Sequence, residues 1–148
     1  MKRRQVLKGL AGGVAIFAWP TPGLALPEDA TRAIQALFGD RPLQEGRVVV
    51  ELPKLSENGY SVAMAIDVDS PMTENDHVSR IAVFAEENPL PDVVRFELGP
   101  RAGRASIKTR IRLGASQRIR AVAQMNDGSL WTSYAFTVVT LAACVVQG

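Results

Sequence analysis

A period of two governs this chain. From Arg47 onward, apolar side chains recur at alternate positions in short runs, and turn residues separate the runs at intervals of about eight to twelve residues. Successive side chains of a β-strand point to opposite faces, so each run is a strand with one buried face. Ser61–Val68 alternates most cleanly, with Val62, Met64, Ile66 and Val68 on one face and Ser61, Ala63, Ala65 and Asp67 on the other. Val48–Leu52, Val78–Ala85, Val93–Leu98, Ala105–Leu113, Arg118–Met125 and Leu130–Leu141 are the other predicted strands. In Ala105–Leu113 the alternation turns Ile107, Thr109, Ile111 and Leu113 inward and Lys108, Arg110 and Arg112 outward. Ile119, Ala121, Ala123 and Met125 share one face of the next strand, and Asn126-Asp127-Gly128 is a hairpin signal leading into the last. Seven strands with no helix between them imply an all-β fold, an immunoglobulin-like antiparallel β-sandwich.

One short N-terminal helix precedes them. Pro27–Phe38 opens with proline and acids, and it places Ala30, Ala33, Ile34, Leu37 and Phe38 on one stripe. Gly39 stands where a helix end favours positive φ. The chain before it reads as an address. Lys2, Arg3, Arg4 and Lys8 form a basic region, Gly9–Trp19 is a short apolar stretch, and Gly23-Leu24-Ala25 offers a cleavage site. Arg3-Arg4 with Leu7-Lys8 resembles a twin-arginine signal. Residues 1–25 are therefore predicted to be a signal peptide and residues 26–148 a single domain exported to the periplasm. The apolar stretch is too short for a stable membrane span.

Removing that signal reverses the electrostatics. The full chain carries 17 basic and 15 acidic side chains. All four charges of the signal are basic, which leaves 13 against 15, so the high overall pI of 9.0 describes the precursor. A nucleic-acid or membrane-surface role inferred from that pI would be an artefact, and no nucleic-acid partner is expected. One cysteine and one histidine exclude a disulfide framework, a four-cysteine zinc site and the common multi-histidine metal centres, so no metal or cofactor is expected.

The informative residue is Cys144, four residues from the end and past the last predicted strand. Chain ends are usually exposed, and a lone exposed thiol in an exported chain points to intermolecular pairing or reactive chemistry. Leu52-Pro53-Lys54-Leu55-Ser56-Glu57-Asn58-Gly59, Asn88-Pro89-Leu90-Pro91, Phe96, Thr109-Arg110-Ile111-Arg112-Leu113, Gln117 and Asp127-Gly128 resemble SoxY. SoxY is the sulfur-carrier subunit of the periplasmic thiosulfate-oxidising (Sox) system. The resemblance implies a heterodimer with a SoxZ-like subunit. It also implies that Cys144 bears covalently attached sulfur intermediates for successive Sox enzymes, so that the chain is a carrier rather than an enzyme. The family ends in Gly-Gly-Cys-Gly-Gly, whereas Cys144 is flanked by Ala142, Ala143, Val145 and Val146. Two β-branched valines stiffen such an arm and crowd its sulfur, so a SoxYZ-like carrier serving enzymes outside the standard cycle is an alternative.

Rival readings are few. A Cys144–His77 dyad would make a cysteine hydrolase or transferase, but His77 sits in a polar acidic loop and a terminal cysteine lacks rigid framing. Arg95, Arg101, Arg104, Lys108, Arg110, Arg112, Arg118 and Arg120 form either a stripe for anions or an acidic partner, or a solvated face balanced by acids; the second is simpler. Trp131, Tyr134 and Phe136 read as core or subunit-interface residues, and Met64 and Met125 as core. The open edges of the sandwich are expected to need a covering subunit. The alternative from another class is a binding or scaffold subunit with a vestigial cysteine.

Overall fold

The computed structural model describes residues 27–143; the predicted signal and Cys144, Val145 and Val146 lie outside the described residues. Helix α1 (Pro27–Phe38) carries Glu28 and Asp29 in its first turn, where the helix dipole favours acids. Ala30, Ile34 and Phe38, one turn apart, are buried. Gly39 takes φ +76° and its N–H donates to the Gln35 carbonyl at 2.7 Å, closing the helix. Arg41 then donates from Nε to Phe38 O at 2.9 Å and from Nη1 to Gly128 O at 2.7 Å, tying the helix end to the hairpin turn.

Among the described residues nine strands follow: β1 (Leu43–Glu45), β2 (Val48–Glu51), β3 (Leu55–Ser56), β4 (Val62–Val68), β5 (Val78–Ala85), β6 (Asp92–Glu97), β7 (Ala105–Ile111), β8 (Gln117–Met125) and β9 (Leu130–Val139). All seven predicted strands are among them. One sheet runs β1-β9-β8-β5-β6, with β3 also on β9; the other is β2-β4-β7. The long ladders are antiparallel, as the hairpin turns require. β1 and β3 depart from the sequence reading. Each pairs parallel with β9, through Leu43↔Leu130 to Glu45↔Thr132 and through Leu55↔Val138 and Ser56↔Val139. At three and two residues they are too short to show a period of their own. They cover both ends of one edge of β9, so the chain itself closes part of the edge expected to need another subunit.

The inward faces match the alternation. Val62, Met64, Ile66 and Val68 meet Ile81, Val83, Ile119, Ala121, Ala123 and Met125 in the core between the sheets. The larger sheet has a second buried face. Ala82, Phe84, Val122 and Leu130 point away from the sandwich core and pack under Ile34 and Phe38 of α1. The helix is thus a third layer, not a leader to the sandwich. It stops short of the far half of β9, where Tyr134, Phe136 and Val138 remain exposed. Tyr134 and Phe136 are therefore surface residues. Trp131 is partly buried at the margin of the core, with the Arg47 guanidinium 5.0 Å from its ring centroid.

Candidate functional site at the C-terminal exit

The described chain ends in a fixed place. Three backbone hydrogen bonds hold the segment that leads to Cys144. Gly59 N–H donates to Leu141 O at 2.7 Å, Leu113 N–H donates to Gly59 O at 2.8 Å, and Ala143 N–H donates to Leu113 O at 3.0 Å. Three remote parts of the sequence, around residues 59, 113 and 143, thereby close into a collar. Ala142 is exposed and Ala143 is buried.

Gly59 is what lets the three segments come this close. A Cβ added there would lie 2.5 Å from Leu113 O, 2.8 Å from Ala143 N and 2.9 Å from Leu141 O. All three are backbone atoms that cannot swing aside, so only glycine fits. The segment before it is pinned along β9. Thr137 Oγ1 donates to Pro53 O at 2.6 Å, Val138 N–H to Lys54 O at 3.0 Å, and Thr140 N–H to Ser56 O at 3.1 Å.

A buried polar network braces the other side. Gln117 is fully buried and Asn88 is nearly so. Gln117 Nε2 donates to Asn88 Oδ1 at 2.8 Å and to Ala115 O at 3.2 Å, while Glu87 N–H donates to Gln117 Oε1 at 2.9 Å. Asn88 Nδ2 donates to Arg112 O at 3.1 Å, and Gly114 N–H donates to Asn88 Oδ1 at 3.1 Å. Buried amides are tolerated when bonded in this way, and they fix the loop on either side of Leu113.

Segments set apart in the sequence by their resemblance, 52–59, 88–91, 109–113 and 117, therefore meet around the residue that precedes Cys144. Sequence reasoning quoted Gly59, Asn88 and Gln117 without finding their task. The task lies in long-range contacts, and only the isolated glycine was a signal.

The other candidates fall elsewhere. Cys144, Val145 and Val146 lie outside the described residues. His77 stands at the far end of the sandwich, with its N–H bonded to Asn126 Oδ1 at 3.0 Å and Nδ1 2.9 Å from Thr73 O. The length of β8 separates the two ends, from Gln117 at the collar to Met125 beside Val78, or about 26 Å at the usual strand rise. Ala143 is held at the collar, the end of the sandwich opposite His77. Met64 and Met125 are buried in the core. No helix among the described residues is long and apolar enough to cross a membrane.

Comparison with known proteins gives this geometry its context. The family model described as "Sulfur oxidation protein SoxY" matches residues 34–144. The chain belongs to the SoxY family. Among solved structures it is similar to the sulfur carrier protein SoxY from Chlorobium limicola f. thiosulfatophilum, at 25% identity and a TM-score of 0.67, over 78% of this chain and 95% of that one. A superoxide reductase (neelaredoxin) from Ignicoccus hospitalis matches at 16% identity and a TM-score of 0.57, over 64% of this chain and 80% of that one. A putative superoxide reductase from Thermotoga maritima matches at 24% identity and a TM-score of 0.54, over 66% and 87%. These two share the fold alone. No curated protein matches the sequence.

The basic set of the SoxY chain divides in two. Arg95 pairs with Asp92, and the bonded carboxylate holds the guanidinium above its ordinary pKa. Arg80 pairs with Glu97 at 2.6 Å. The nearly buried Glu86 lies 3.8 Å from Arg118 Nε and 3.5 Å from Arg120 Nε, and both guanidinia stand over the Tyr134 ring, at 4.9 and 5.3 Å. Each of these four cations has a carboxylate partner, Glu86 serving two of them. Lys108, Arg110 and Arg112, and with them Arg101 and Arg104, make no ion pair among the described residues.

Proposed function

We propose that the protein is a periplasmic sulfur carrier that holds oxidised-sulfur intermediates covalently on Cys144 during thiosulfate oxidation, as a heterodimer with a SoxZ-like subunit. The observation that carries the reading is the collar: residues shared with the SoxY pattern converge on Ala143 and fix the point from which the chain's one cysteine departs. Membership of the SoxY family supports the sulfur chemistry, the companion subunit and the export to the periplasm.

The chemistry asks little of the carrier. A cysteine thiolate attacks one sulfur of a partner's S–S bond; a new S–S bond forms as the old one breaks, and the departing sulfur keeps the electron pair. Joining the thiolate directly to a thiosulfate sulfur instead releases two electrons, which an acceptor on the partner enzyme must take. In both cases the carrier supplies an accessible sulfur at a fixed place and the partners supply redox and hydrolytic steps, so the protein is a carrier and not an enzyme.

Intact mass spectrometry of the mature protein, purified without reductant from cells oxidising thiosulfate, tests this directly. Sulfane, thiosulfonate or sulfonate adducts are expected on Cys144, and Cys144→Ser is expected to abolish both the adducts and thiosulfate oxidation. A Cys144→Ser strain that oxidises thiosulfate normally would sink the reading and leave a scaffold subunit.

A further inference from the structure

We propose that Lys108, Arg110 and Arg112, with the groove beside them, form the surface on which an acidic face of the sulfur-transferring enzyme docks. The proposal rests on the carrier reading and says where the carrier is gripped.

Reach comes first. Ala143 is held by Leu113 O, and the Cα of Cys144 can lie only about 3.8 Å beyond that of Ala143. An enzyme acting on that sulfur must therefore come up against the protein around the collar. What it meets there is set by β7. This strand is an edge of the three-stranded sheet, and alternation turns Lys108 and Arg110 outward, with Arg112 continuing the row one residue past the strand. At about 6.6 Å per two residues the three cations form a track that ends beside Leu113, the residue holding Ala143.

The chemistry of the track is that of an unsatisfied surface. Elsewhere on the strands Arg80 and Arg95 each have a carboxylate, and Arg118 and Arg120 share Glu86. These three have none among the described residues, and Arg110 donates only to Ser61, to its carbonyl at 3.3 Å and its hydroxyl at 3.2 Å. Beside Lys108 and Arg110 lies an open groove of about 820 Å³. Ala63 and Ala65 on β4 face Arg110 and Lys108 across the ladder and give it a small-residue floor, with Glu51 on the opposite rim. Small side chains beside raised cations admit another protein's surface closely. Unpaired positive charge on a domain of net negative charge selects an acidic patch and orients its approach.

The test uses the mature carrier, co-produced with its SoxZ-like companion in its own host. In Lys108→Glu/Arg110→Glu/Arg112→Glu, the fraction of Cys144 bearing sulfur adducts, read by intact mass, is expected to fall by about tenfold or more. Alkylation of Cys144 by iodoacetamide, a small neutral reagent, should stay within about twofold of wild type, because it needs no docking. The triple alanine variant should show a smaller fall in the same direction, and it carries the test if the charge-reversed chain folds poorly. Undiminished adducts in either folded variant would overturn the proposal. So would loss of the companion subunit from the purified complex, which would give this face to the companion. Arg112→Glu reproducing the whole loss while Lys108→Glu and Arg110→Glu are silent would also overturn it, since one cation would then meet the cargo. Wild-type protein with no adduct on Cys144 would instead bring down the carrier reading itself.

Discussion

At Gly59 a single hydrogen atom in place of a side chain lets three backbone segments meet. An added methyl would lie under 3 Å from three backbone atoms, so Gly59→Ala must push the segments apart. Overpacking of this kind costs about 1–3 kcal/mol, which denaturant unfolding should register. Because the displaced groups include Ala143 N–H, the variant is also expected to loosen the chain end, seen as faster C-terminal proteolysis than in wild type. Gln117→Ala acts on the same collar from the other side. It leaves the Glu87 N–H without its acceptor and removes one donor from Asn88 Oδ1, at a cost of about 1–3 kcal/mol. If Gly59→Ala melts like wild type and its terminus is cut no faster, the collar does not hold the chain end.

Helix α1 is the element whose role the period of two conceals. It seals the outer face of β5, β8 and the start of β9, and Phe38 is the largest side chain it contributes to that seal. Phe38→Ala is expected to lower stability by about 3–5 kcal/mol, with the exposed helix face binding a hydrophobic dye before the sandwich unfolds. The β8–β9 hairpin has its own device. Ser129 donates to Asp127 Oδ1 from its hydroxyl at 2.6 Å and its backbone N–H at 2.8 Å, and these bonds hold the Asp127 carboxyl below its ordinary pKa. A depressed carboxylate contributes its stability at neutral pH, and that contribution is lost as pH falls through the lowered midpoint. Asp127→Asn should therefore flatten the fall of stability with acidity below about pH 4, and an NMR titration should find the Asp127 midpoint beneath the ordinary aspartate value.

For the whole molecule, the unpaired cations and the exposed apolar row lie on different sheets. The three-stranded sheet carries the unpaired cations beside the collar. The six-stranded sheet, beyond the reach of α1, exposes Tyr134, Phe136 and Val138 with Leu55 beside them. Water-facing apolar side chains in one row favour association, so the mature chain alone is expected to self-associate in light scattering, less so as Phe136→Lys. A wild-type chain that stays monomeric at high concentration would contradict this.

Local periodicity determined most of the layout: seven strands, their inward faces and α1 with its glycine stop are all legible because neighbours in sequence dictate them. Phe84 and Val122 stand out of phase with the alternation, a sign that a second face is buried, but alternation alone does not say what covers it. Tertiary structure decided the rest. The parallel pairing of β1 and β3 with β9, the seating of α1 on the sheet, the closing of Gly59 and Leu113 on Ala143 and the bracing of the Leu113 loop by Asn88 and Gln117 all depend on contacts between residues far apart in the chain. The division of the arginines into paired and unpaired belongs with them. Charge balance on a sheet is set by cross-strand neighbours, and register exists only once the strands have met.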